Sequence, residues 1–184
     1  MTAAAGFTNA GIIALDSIGT GWAHATLAVT SGTLTNTGVI SVNVGIGGER
    51  KIEGSLINNG TVNINADAWL RKQDGVYTNN SAFNIATGKT LTMDGSNNTF
   101  NQNGGTLAVN GTFNTVNNTF TFNGGTITGS PDLTNSALNI GAGSTGVGTV
   151  TVHGTGSGIG CSLSGDIASG QTVVVQGVGG LSDA

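Results

Sequence analysis

The chain is poor in charge. Five Lys and Arg and nine Asp and Glu make up 8 % of its 184 residues, against about a quarter in an ordinary globular domain. Five basic groups cannot build a face that neutralises many phosphates, so nucleic acid is not an expected partner. A single cysteine, Cys161, excludes an internal disulfide framework. No apolar run approaches the length of a transmembrane helix, so no membrane insertion of this segment is expected. Met1 is followed by Thr2, Ala3, Ala4 and Ala5, with neither a positive region nor an apolar stretch, so no signal peptide is legible.

What is present is glycine (33 residues), abundant asparagine and threonine, and 37 % hydrophobic residues. Glycine with little charge would fit disorder, but disordered chains are also poor in hydrophobic residues. Here Val, Ile, Leu and Phe are spaced by Thr, Asn or Ser, which is strand chemistry.

The chain repeats itself. Phe7-Thr8-Asn9-Ala10-Gly11-Ile12-Ile13-Ala14-Leu15 recurs from Leu34, from Leu56 and from Tyr77, following the pattern apolar-x-Asn-x-small-x-apolar-x-apolar. A trimmed copy is expected from Leu133 to Ile140. A second unit, Ala86 to Gly95, matches Ala168 to Gly177 at a separation of 82, about four coils, with a shorter copy at Thr149 to Gly154. Asn98 to Leu107 repeats 20 residues on, at Asn118 to Ile127, but the register of residues 96–130 stays open because Phe113 fits neither frame. Short alternating runs give strands with one buried face. Asn-x-Gly and Gly-Gly between them supply the positive-φ positions of sharp corners. One coil cannot bury its inner face alone, so coils stack and share a core. The reading is all-β: a right-handed parallel β-helix (β-solenoid) of about eight coils of roughly 20 residues, on the order of 40 Å long at one strand spacing per coil. Asparagines recurring at one place in each copy should form amide ladders. A β-sandwich explains short strands but not the repetition.

The phrase Gly32-Thr33-Leu34-Thr35-Asn36-Thr37-Gly38-Val39-Ile40, with its partner Gly54 to Val62, resembles the repeats of bacterial β-helical surface proteins. These are the passengers of autotransporters and the filamentous-haemagglutinin-like exoproteins. The likeness is one of pattern over roughly residues 6–177. It implies export to the extracellular space or bacterial outer surface, and a role in adhesion or as a stalk, with no catalytic residues to carry over. The coil lengths are less even than in the family's stricter members, and no secretion domain is present. Residues 1–184 therefore read as one solenoid domain, a fragment of a larger repetitive protein whose further coils would be its neighbours. Val178-Gly179-Gly180-Leu181 offers no polar cap, which reads as a cut through a longer stack.

One charge feature depends on the coil period. Glu49 to Gly54 aligns with Leu70 to Gly75 at a spacing of 21, which would stack Arg50 over Arg71 and Lys51 over Lys72. Glu53, Asp74 and Asp94 would line up beside them. Trp69 and Tyr77 are near enough in sequence to add a stacking face. Arg50, Lys51, Arg71, Lys72, Trp69 and Tyr77 are thus the candidate ligand-binding residues, for a host-surface glycan or matrix protein. The competing reading is a solvated corner whose ion pairs contribute about 0–1 kcal/mol each. Residues 16–26, with Trp22 and His24, read as an inserted loop or a cap on the first coil.

Other motifs point less far. Gly141 to Gly146 fits a dinucleotide fingerprint, but β sequence follows where a helix is required. The glycines of 45–48 lack the aspartates of calcium-binding repeats. His24, His153 and Cys161 have no metal-site spacing, and Cys161 reads as a small buried filler. No cofactor or metal is expected. Glycosidase or lyase chemistry needs converging acids, and only the Glu53, Asp74, Asp94 column hints at them. Asp16-Ser17 has no identifiable partner histidine. Ice binding needs Thr-x-Thr in register, which the pairs at 33/35, 90/92, 119/121, 126/128 and 149/151 do not share along the repeat. The function expected is a non-catalytic structural or adhesive segment. A carbohydrate-active β-helix, such as a tail spike or polysaccharide lyase, is the alternative, and an ice-binding solenoid the second alternative.

Overall fold

The computed structural model describes residues 1–154 and 160–177; residues 178–181 lie outside that set. Its described residues form a parallel β-helix of about eight coils, roughly 22 residues apart, with no helix. The coils contribute strands to three faces, the last two described coils to the front and back faces alone. The front face stacks Phe7–Asn9, residues 33–36 and 55–58, then Val76–Asn79, Thr99–Gln102, Thr119–Phe122, Ala137–Ile140 and Ser162–Ser164. The side face stacks Ile12–Leu15, Val39–Val42, Thr61–Ile64, Ala82–Ile85, Thr106–Val109 and Thr126–Thr128. The back face stacks Thr2–Ala3, residues 25–28 and 50–53, then Ala68–Leu70, Thr90–Met93, Thr112–Val116, Asp132–Thr134, Gly148–Gly154 and Gln171–Gly177. In the second and third coils the strands Ala25–Asn36 and Arg50–Asn58 run through the back-to-front corner without a break.

The period-2 alternation decides which side chains enter the core. From Arg50 to Asn58 every second residue is buried. The front face thereby sends in Leu34, Leu56, Tyr77, Phe100, Phe120 and Leu138 as one column. Beside it runs the expected amide ladder. Asn9 Nδ2 donates to Asn36 Oδ1 (2.8 Å), Asn36 to Asn58 (2.9 Å), Asn58 to Asn79 (2.8 Å) and Asn79 to Gln102 Oε1 (2.9 Å). The ladder stops there because Phe122 occupies the next place, and Phe122 and Ile140 continue the column as an apolar stack. Midway along the rod, Phe83 from the side and Phe113 from the back meet Phe100 from the front with ring centroids 5.6 and 5.0 Å away, and Phe120 stacks on Phe100 at 5.6 Å.

The register resolves one reading the sequence left open and corrects one expectation. Phe113 stands on the back face, directly over Leu91, which explains why it fitted neither front-face frame. The copy expected from Leu133 is out of register: Leu138, not Leu133, continues the Tyr77 column, while Leu133 lies over Thr115 on the back face. The same pattern of letters arises there from a strand end, a corner and a new strand.

That corner is itself a repeated device. Asp74, Asn97, Asn117 and Asn135 adopt positive φ (54°, 57°, 56° and 47°), a conformation that short polar side chains tolerate. The residue after each faces inward and joins a second ladder. Gly75 N–H donates to Asn98 Oδ1 (2.7 Å), Asn98 N–H to Asn118 Oδ1 (2.8 Å) and Asn118 N–H to Ser136 Oγ (3.2 Å). Cys161, half-buried, takes the next place: its Sγ accepts from Ser136 N–H at 3.4 Å.

Candidate ligand-binding face

Charge is sorted by face. No Asp, Glu, Lys or Arg stands on a described strand of the front or side faces; the charged residues among those described occupy the back face and the connections. The back face presents Thr26, Lys51, Trp69, Thr92, Asn114, Asp132 and Thr151 outward as one column. A second outward column contains Glu53 and then Arg71, whose backbone N–H continues the pairing by donating to Ile52 O (3.1 Å).

This register overturns the expected stacking of the basic residues. Arg50 lies over Ala68 and Lys51 over Trp69, a spacing of 18, whereas Leu56 lies over Tyr77 on the front face, a spacing of 21. The fourth coil spends three additional residues in the corner at 71–75, where the third coil turns through a continuous strand. Sequence alignment carried the front-face spacing onto the back face. The acidic column changes with it: Arg71 follows Glu53 and binds Asp94, and Asp74 belongs to the corner, where its Oδ1 accepts from Asn97 Nδ2 (3.2 Å).

The six candidates therefore part company. Arg50 points inward, 8 % exposed, and donates to Asn43 O (3.2 Å) and Gly48 O (2.8 Å), so it fastens a loop and offers no free charge. Lys72 turns towards the corner and donates to Val29 O (3.3 Å). Tyr77 is a core residue, 1 % exposed, between Leu56 and Phe100. Burial raises its phenol above the ordinary range. Lys51, Trp69 and Arg71 are brought together on the outer back face. Arg71 chelates Asp94 with Nε and Nη2 at 3.0 and 2.6 Å and holds its Cζ 5.8 Å from the Trp69 ring centroid. Lys51 Nζ sits 2.5 Å from Glu49 Oε2, and Arg71 Nη1 3.7 Å from the same oxygen. The Lys51 ammonium, hydrogen-bonded to it, holds the Glu49 carboxyl below the usual carboxylate range. The result is an indole set in a line of alternating charges, with the Arg71 guanidinium over its ring.

The sequence missed a second group on the same face. His153 Nδ1 lies 2.9 Å from Asp132 Oδ1, and its Nε2 shares a hydrogen bond of 2.8 Å with Thr134 Oγ1. Thr134 and His153 are one coil apart, so only a correct coil register could have joined them. The threonine pairs fall on three different faces: 33/35 and 119/121 on the front, 126/128 on the side, 90/92 and 149/151 on the back. Residues 16–24 leave the stack as a loop between Leu15 and Ala25, with Trp22 exposed and its ring 6.2 Å from His24. Among the described residues, no three His, Cys, Asp or Glu gather as a metal site.

Fold and register define a β-solenoid repeat protein. No family model, curated protein or solved structure matches this chain.

Proposed function

We propose that the chain is a non-catalytic, rod-like segment of a secreted or cell-surface bacterial protein, which holds its back face out to a host glycan or matrix protein. The observation that supports it best is the buried amide ladder from Asn9 to Gln102, tying five successive coils together from within. Its bonds join one coil to the next and reach no pocket, which suits a stiff scaffold. The contact surface is Trp69 with Lys51 and Arg71, flanked by Glu49 and Asp94, because an aromatic platform beside fixed charges is the chemistry that recognises a polar, ring-shaped ligand.

The test is a glycan and matrix-protein binding panel run with the parent and with a K51S/W69A/R71S variant. The expected result is specific binding by the parent that the variant loses, while an R50S/K72S variant retains it. Binding by none of them, or equal binding by the parent and the first variant, removes the adhesive role of this face.

A further inference from the structure

Two loops stand off the rod at one corner. Residues 16–24 join Leu15 to Ala25, residues 43–49 join Val42 to Arg50, and the two lie one on the other in adjacent coils. Their backbones touch. Ile46 N–H donates to Ser17 O (2.9 Å), the Ser17 hydroxyl donates to Ala23 O (2.6 Å), and buried Arg50 binds Asn43 O and Gly48 O from below. A Cβ at Gly47 would come within 2.8 Å of Gly21 O, so glycine is what permits this approach. Fastened in this way, the pair turns four large apolar side chains outward: Ile18 (86 % exposed), Trp22 (87 %), Val44 (68 %) and Ile46 (70 %). Residues 17–23 and 43–48 contain no Asp, Glu, Lys or Arg. The next coil has only residues 65–67 at this corner.

Apolar side chains this exposed, gathered at one tip, mark a contact surface. We propose that this double loop docks on the interface of an uncharged lipid bilayer, with Trp22, Ile18, Val44 and Ile46 entering the boundary between headgroups and acyl chains. A stable protein interface takes roughly 20–30 residues a side, which a convex tip of four side chains does not supply. A bilayer interface needs only a few apolar groups at shallow depth, and an indole, apolar in its body and polar at its N–H, suits that boundary. The two loops carry no Lys or Arg, and their only formal charges, Asp16 and Glu49, are acids at their ends. That sets the lipid class, since nothing there would attract anionic headgroups. The contact rests on the interface and spans nothing, and it is independent of the back face and of the function proposed for it.

Trp22 and Trp69 are the only tryptophans, so a Trp69→Phe protein reports on Trp22 alone. Mixed with phosphatidylcholine vesicles, it should float with them, its emission should shift to the blue, and iodide quenching should fall. An I18S/W22S/I46S variant, altered only at exposed positions, should keep the parent's β-sheet circular dichroism and lose partitioning by roughly tenfold for each large side chain removed. Raising the salt should change nothing. An unchanged Trp22 spectrum without flotation overturns the proposal, as does flotation that survives the triple substitution or requires anionic lipid. Self-association in sedimentation that the triple variant abolishes, without flotation, would assign the tip to contact between copies of the chain and overturn it equally.

Discussion

Asn58 makes four hydrogen bonds at 0 % exposure. Its Nδ2 donates to Asn79 Oδ1 and to Ala82 O, and its Oδ1 accepts from Asn36 Nδ2 and from Gly60 N–H. A buried polar group left without its partner costs about 1–3 kcal/mol, so truncation here strands groups in three coils at once. Asn58→Ala should lower the unfolding free energy by about 2–4 kcal/mol, measured by denaturant melts, while Asn59→Ala, one residue on and exposed, should cost less than about 0.5 kcal/mol. At the surface the controlling residue is Glu49. Its folded pKa is depressed by Lys51, so its contribution is present above the unfolded carboxylate pKa and is lost as pH falls through the lower, folded value. An NMR titration should find the Glu49 midpoint below that of an isolated glutamate, and Lys51→Ser should raise it towards the ordinary value. Acid below that midpoint frees Lys51 from its carboxylate, so an anionic ligand should bind the back face better there than at neutral pH.

At the scale of elements, strands carry the burial and corners carry the register. The Phe83, Phe100, Phe113 and Phe120 cluster joins all three faces across adjacent coils. Phe113→Ala should destabilise by about 3–5 kcal/mol, read from the midpoint shift at constant m value. At the corner, Asn117 sits at φ 56°. Asn117→Gly should be close to neutral and Asn117→Val should cost about 1–2 kcal/mol, a contrast that an ordinary surface loop would not give. Corners also explain how far the sequence could be read. The front and side faces were legible because Leu34, Leu56 and Tyr77 recur with Asn36, Asn58 and Asn79 at one offset in both composition and space. The back face was legible only in part. The repeat read at Thr90–Gly95, Thr149–Gly154 and Thr172–Gly177 does stack in one register, but residues 50–72 did not follow the spacing read for them. Its strands carry no asparagine signature, and the corner at 71–75 changes the count between faces, so Arg50 and Arg71 fell into a false column. Of the six candidates, Lys51, Trp69 and Arg71 share the outer back face, and Lys72 turns to the corner. Arg50 and Tyr77 were misplaced because only a strand's phase tells an inward side chain from an outward one.

Among the described residues the arrangement is quasi-one-dimensional: strands pair only between successive coils, and two ladders of polar groups run up the interior beside the apolar core. Such a rod resists bending because tilting one coil against the next must stretch amide bonds that have no water to replace them. Charge confined to one face and the connections leaves two uncharged strand faces, so the molecule has distinct sides as well as a long axis. Whether the rod is tied from within can be read from side-chain amide hydrogen exchange by NMR. The Nδ2 protons of Asn36, Asn58 and Asn79 and the Nε2 protons of Gln102 should exchange at rates set by unfolding of the stack, far slower than those of exposed Asn59 or Asn110. Exchange of the ladder amides as fast as that of the exposed ones would mean that the coils are held by their surfaces and not from within.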